Sequence, residues 1–135
     1  MLRPLHEGIS VADMDASVAW YEKFFGFSVV KDDFVPDLNS RIVFLRLGDF
    51  ELELFEYRGT DRQPLSEGRR VPNEDIKTCG VKHVAWAVDN MEAELTRLRT
   101  LGADIAAGPF PMAGDIVCFL RDNSGNLMEL IEPGA

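Results

Sequence analysis

An offset of 77 residues lays the start of this chain onto its middle. His6-Glu-Gly-Ile-Ser-Val11 falls on His83-Val-Ala-Trp-Ala-Val88, Met14 on Met91, Ala16 on Ala93 and Val18 on Leu95. Further along, Glu53-Leu-Phe-Glu56 falls on Glu129-Leu-Ile-Glu132 at an offset of 76. A repeat of this kind predicts two copies of one supersecondary plan. The question becomes which plan, and what the repeated residues do.

Each copy opens on a short apolar strand pattern and continues into a helix. Met14, Val18, Tyr21 and Phe25 recur at the spacing of one buried helical face, with Asp13 as the cap and Gly26 as the stop. Met91, Leu95 and Leu98 repeat the pattern before Gly102, with Asp89 as the expected cap and Glu92 completing a capping box. Strand patterns follow at 27–30, 41–47 and 50–55, then at 103–105, 116–120 and 127–132. Gly48-Asp49 and the turn-forming run Asp122-Asn-Ser-Gly-Asn126 join the last two strands of each copy. The fold class is therefore α+β, as two βαβββ modules. The first spans 1–57 and the second 81–135, within a single domain covering 1–135. Residues 58–80 show no sustained periodicity and carry Gly59, Pro64, Gly68 and Pro72, which predicts a long linker. Pro109 to Gly114 is either a pocket lid or an ordinary connection.

The charge balance, 14 Lys plus Arg against 23 Asp plus Glu, gives −9 and opposes binding to a phosphate backbone. Nucleic acid is not an expected partner. No apolar run approaches the roughly 20 residues of a membrane span, and the first residues lack the ordered regions of a secretory signal. The expectation is a cytoplasmic protein without a membrane partner, and Cys79 and Cys118 are expected to be reduced, incidental thiols.

The chain has two histidines, and the repeat puts both at the same point of equivalent strands. Two related strands packed about a pseudo-two-fold axis would aim both imidazoles into one cavity. Each copy would add a carboxylate from its last strand. Strand alternation puts Glu51, Glu53 and Phe55 on one face and Leu52 and Leu54 on the other. Glu53 falls on Glu129, whereas Glu51 falls on Leu127, so Glu53 is the expected ligand. Glu51, Glu56 and Glu132 are read as rim or solvated charges. The candidate metal ligands are thus His6, Glu53, His83 and Glu129. This N2O2 set suits Zn, Ni, Co, Mn or Fe better than Ca or Mg. Such an ion would polarise a carbonyl oxygen, and Glu129 or Glu53 would be the catalytic proton-transferring group.

The stretches His6-Glu-Gly-Ile-Ser-Val-Ala-Asp13, Trp20-Tyr21, Phe25-Gly26-Phe27, Leu52-Glu53-Leu54, Gly80-Val-Lys-His83-Val-Ala and Phe119-Leu-Arg-Asp-Asn-Ser-Gly-Asn-Leu-Met-Glu129-Leu together resemble the vicinal oxygen chelate superfamily. That group includes glyoxalase I, methylmalonyl-CoA epimerase, extradiol dioxygenases, fosfomycin-resistance transferases and bleomycin-resistance proteins. The resemblance covers essentially the whole chain. It implies paired βαβββ modules forming a cupped mixed sheet around a metal, a homodimer, and a small-molecule substrate. It also implies the four ligands already chosen, a set similar to those of glyoxalase I and the epimerase. In glyoxalase I an Arg follows the first ligand by four residues and an Asn follows the second by four, both serving glutathione; Ser10 and Tyr57 stand here instead.

The expected activity is that of a divalent-metal-dependent lyase or isomerase acting beside a carbonyl. The alternatives are an Fe(II) ring-cleaving dioxygenase, using two His and one Glu, and a binding or resistance protein of the same fold. Arg41, Arg46, Arg58, Arg62, Arg69, Arg70 and Lys77 are candidates for holding an anionic substrate group, Arg69-Arg70 foremost. Trp86, Phe110, Met112 and Phe119 are candidate pocket-lining residues.

Overall fold

The structure, a computed structural model, describes residues 1–134. The chain divides into two compact units, one covering Met1–Pro64 and one beginning at Leu65. The first holds β1 (His6–Ser10), α1 (Met14–Phe25), β2 (Ser28–Val35), β3 (Ser40–Leu47) and β4 (Phe50–Tyr57). Its strands form one sheet in the order β1-β4-β3-β2. The second holds β5 (Val84–Ala87), α2 (Met91–Thr100), β6 (Asp104–Met112), β7 (Asp115–Arg121) and β8 (Leu127–Glu132), in the order β5-β8-β7-β6. In each sheet the first strand pairs parallel with the last, and the remaining pairs are antiparallel. The protein is α+β, with two tandem βαβββ modules.

One face of each sheet carries the helix. Val43, Leu45, Leu52 and Leu54 share that face in the first unit, and Cys118, Leu120, Met128 and Leu130 in the second; all are buried. On α1 the buried residues are Met14, Ser17, Tyr21 and Phe24, whereas Val18 and Phe25 lie half-buried beside them. The apolar stripe therefore runs one position away from the expected one. Small Ser17 faces the sheet, and Trp20 packs against both Phe24 and Phe25 at the margin. On α2 the buried face is Met91, Leu95 and Leu98, as the periodicity predicts.

The helix ends follow local chemistry. Asp13 caps α1, its Oδ1 accepting from Ala16 N at 3.1 Å, and Gly26 closes the helix at φ 79°. α2 is capped by Asn90 and not by Asp89: the Asn90 Oδ1 accepts from Ala93 N at 2.9 Å. The helix begins at Met91, so the residue directly before it holds the cap position. The 77-residue offset itself carries Asp13 onto Asn90.

β2 and β6 run several residues further than expected. Each lies at the edge of its sheet, where the outward side needs no partner, so Lys31-Asp32-Asp33 and the prolines at 109 and 111 are tolerated. The stretch from Pro109 thus belongs to β6 and the turn into β7, an ordinary connection and not a lid. Asp122 organises the β7–β8 turn, its Oδ1 accepting from the N–H groups of Ser124 and Asn126 at 2.8 and 2.9 Å. The segment after β4 contains one short 3-10 turn, Glu67–Arg70, and is held by side chains. Lys82 Nζ donates to Asp75 O at 2.6 Å, and the Arg121 Nε donates to Arg70 O at 2.7 Å.

Candidate functional site

In each unit the face away from the helix sets a histidine close to a glutamate of the last strand. β1 and β4 run parallel in a register that places Gly8 opposite Glu53, with His6 one pleat earlier on the same face. His6 Nε2 lies 3.8 Å from Glu53 Oε1. In the second unit Ala85 lies opposite Glu129, and His83, just before β5, brings its Nε2 to 2.5 Å from Glu129 Oε2. The glycine at 8 matters. A Cβ on Gly8 would sit 3.3 Å from the Phe55 ring and 3.8 Å from Glu53 Oε1, so a larger side chain would crowd the carboxylate.

An aromatic ring braces each imidazole. Phe44, across from Glu53 on β3, meets His6 edge-on at 5.7 Å and 86°. Phe119, across from Glu129 on β7, meets His83 at 5.4 Å and 78°. Restricting the ring to one edge leaves its Nε2 toward the glutamate. The two pairs differ in exposure: the Glu129 side chain is 9% exposed and that of Glu53 21%, whereas the two imidazoles are similar at 31% and 35%.

The structure thus brings His6 to Glu53 and His83 to Glu129. Among the described residues no three or more His, Cys, Asp or Glu side chains gather into a group that could hold a metal ion. Within a unit the donor chemistry, one imidazole nitrogen facing one carboxylate oxygen, is that of a borderline divalent ion such as Zn or Ni.

The surrounding charges are mostly committed elsewhere. Arg41 spans Asp15 on α1 and Asp32 on β2 at 2.7 and 2.8 Å, and those carboxylates raise its already high pKa further. Arg46 faces Glu51 at 3.5 Å, Arg58 reaches Glu56 at 2.5 Å, and Arg62 donates to Ala12 O. Arg69 donates to Val81 O at 2.5 Å and lies 3.8 Å from Asp75, so one of the two foremost anion candidates is occupied within the segment. Arg70 packs over Gly125, where a Cβ would come within 2.8 Å of its Nε. Tyr57 follows Glu53 and Phe55 on the same face, and its hydroxyl donates to Asp61 Oδ1 at 2.6 Å. Of the aromatic candidates, Phe119 is buried and stacked on Phe110 at 6.4 Å.

Two residues read from the sequence as rim charges have another role. Glu56 Oε2 accepts from the backbone N–H of Met14 at 2.5 Å, and Glu132 Oε2 from that of Met91 at 2.6 Å. Each carboxylate satisfies the first N–H of a helix at its positive end. The signal was present in the repeat, which lays Glu56 on Glu132.

A family model for the glyoxalase/bleomycin resistance protein/dioxygenase superfamily matches residues 3–130. The chain belongs to that superfamily. It is 29% identical over 132 residues to the ethylmalonyl-CoA/methylmalonyl-CoA epimerase of Cereibacter sphaeroides, covering 93% of each protein. It is 27% identical over 134 residues to the lactoylglutathione lyase of Salmonella typhimurium, covering 97% of this chain and 93% of the lyase. Among solved structures, glyoxalase I from Zea mays superposes with a TM-score of 0.75 at 26% identity, over 98% of this chain and 45% of the maize chain. The chain thus spans less than half the length of the maize chain.

Proposed function

We propose that the chain is a divalent-metal-dependent enzyme of lyase or epimerase type, transferring a proton at the carbon beside a carbonyl of a small substrate. His6, Glu53, His83 and Glu129 are the metal ligands, and Glu129 or Glu53 moves the proton. The carrying observation is the twice-built pair: one histidine set against one glutamate, at equivalent positions of two sheets. When bound, the ion supplies polarisation of the substrate's carbonyl oxygen. Glu129 or Glu53 would take up the neighbouring proton and return it, while His6 and His83 would hold the ion. The epimerase and lyase names of the relatives fit this chemistry. Ser10 and Tyr57 stand where glutathione-serving members carry Arg and Asn, which favours a carrier other than glutathione. The protein acts as a homodimer in this reading.

Metal analysis after reconstitution with Zn, Ni or Co, beside the same measurement on Glu53→Ala and His83→Ala, tests the reading. The expected result is stoichiometric metal in the native protein and a loss of at least tenfold in affinity in either variant. Deuterium uptake from solvent at the carbon beside the carbonyl should accompany metal loading. A native protein that takes up no metal would sink the proposal. Full metal retention in Glu53→Ala with oxygen-dependent turnover would make it a ring-cleaving dioxygenase.

A further inference from the structure

The helix-facing glutamates close a circuit through each candidate pair. β1, which begins at His6, turns through three residues into α1, and Val11 N donates to Phe55 O at 2.8 Å as it leaves the sheet. The first N–H of that helix, on Met14, is held by Glu56 of β4. Glu56 lies three residues beyond Glu53 and, by strand alternation, points to the opposite face. A path from His6 therefore runs along β1, through the helix start, across one hydrogen bond and back along β4 to Glu53. In the second unit the path runs from His83 along β5, past Val88 N donating to Ile131 O at 2.8 Å, to Met91, across to Glu132 and back to Glu129. Both circuits have the same dimensions: eight residues from histidine to helix start, three from anchor to ligand glutamate.

From this we infer that Glu56 and Glu132 are positioning residues: each fixes the axial offset between the strand bearing a histidine and the strand bearing its glutamate. The inference rests on the metal-site reading given above. β1 and β5 are short edge strands of five and four residues, so their ladders alone resist sliding weakly. The carboxylate at the helix start adds a link that neither ladder contains. Asp13 and Asn90 are natural controls, because they satisfy N–H groups of the same helix ends from the residue just before each helix and make no link to the last strand.

The test compares Glu132→Ala and Glu56→Ala with Asn90→Ala and Asp13→Ala. Co(II) binding is followed by its visible absorption, and the imidazole 15N chemical shifts of the metal-free protein are recorded at one fixed pH. Only two histidines contribute signals. A Glu132→Gln variant retains an oxygen that accepts the Met91 N–H and guards against misfolding. The glutamate-to-alanine variants should bind Co(II) at least tenfold more weakly, within the range for residues that orient a ligand from behind. Each should also move the imidazole signal of its own unit. The cap variants should lower thermal stability to a similar degree, with Co(II) affinity changed less than twofold and imidazole signals unmoved; Glu132→Gln should track the native protein. If cap and anchor variants weaken Co(II) binding equally, or if no anchor variant moves an imidazole signal, the positioning role is wrong. A native protein that binds no Co(II) would refute the metal reading, while the imidazole shifts of the metal-free variants would still decide whether the circuit holds the pair.

Discussion

Gly8 shows how little room the first candidate pair has. Its hydrogen faces Glu53 across the parallel ladder, and the nearest ring atom of Phe55 already lies 3.3 Å from where a Cβ would stand. Gly8→Val adds an isopropyl group beside the Phe55 ring and Glu53. The expected outcome is a stability loss of about 1–3 kcal/mol from overpacking. Zn affinity should fall about tenfold or more; equal affinity in a folded Gly8→Val would mean that Glu53 does not need that space. The thiols offer a second check at this scale. Cys79 is exposed, whereas Cys118 is buried in the sheet and burial pushes its pKa up. A thiol reagent at pH 8 should label one cysteine of the folded protein quickly, and the second only on unfolding. The pairing of His6 with Glu53 and of His83 with Glu129 was legible in the sequence because the repeat singles out these four residues. Glu56 and Glu132 were not recognised as anchors: a carboxylate on the helix side of a strand looks solvated until the helix start is placed over it.

Between elements, the Arg41 network ties α1, β2 and β3 together. Hydrogen bonding to Arg41, with its charge, holds the Asp32 carboxyl below its ordinary value, and burial opposes this. A folded-state value below the unfolded one contributes stability that is present above about pH 4 and is lost as the pH falls through the lowered value. Asp32→Asn should therefore narrow the gap in urea midpoint between pH 6 and pH 2.5. An unchanged gap would show that the network does not couple folding to pH. Helix and strand positions were largely readable, because Met91, Leu95 and Leu98 and the alternation around Leu52 and Leu54 are set by burial. Edge strands escaped the reading in part. β2 and β6 are half free of the burial that produces alternation, so charges and prolines interrupt the pattern without ending the strand.

For the whole molecule, the repeat is the most informative property, since it predicts two sheets, two helices and a matched pair of donor sets. The segment between the modules was the least legible. Its order comes from side chains meeting carbonyls, such as Lys82 at Asp75 and Arg121 at Arg70, which no periodicity reveals. If the proposed metal binds the folded chain alone, mass action makes it a stabiliser. Free Zn at a hundred times its dissociation constant should add about 2.7 kcal/mol, raising the melting temperature by roughly 10 °C. The same addition should stabilise Glu53→Ala by no more than about 1.4 kcal/mol, since its affinity is expected to be at least tenfold weaker. A native melting temperature indifferent to Zn, Ni and Co alike would count against the site.

The outer strands of the two sheets also bear on how the protein behaves in a crowded solution. Strand β2 ends its sheet with Lys31, Asp32 and Asp33, and β6 ends the other with Pro109 and Pro111. An incoming strand would have to desolvate charge at the first edge and would find backbone donors missing at the second. Neither of these two borders invites templated growth, so at that edge each sheet is guarded by the composition of the very strand whose pattern is hardest to read.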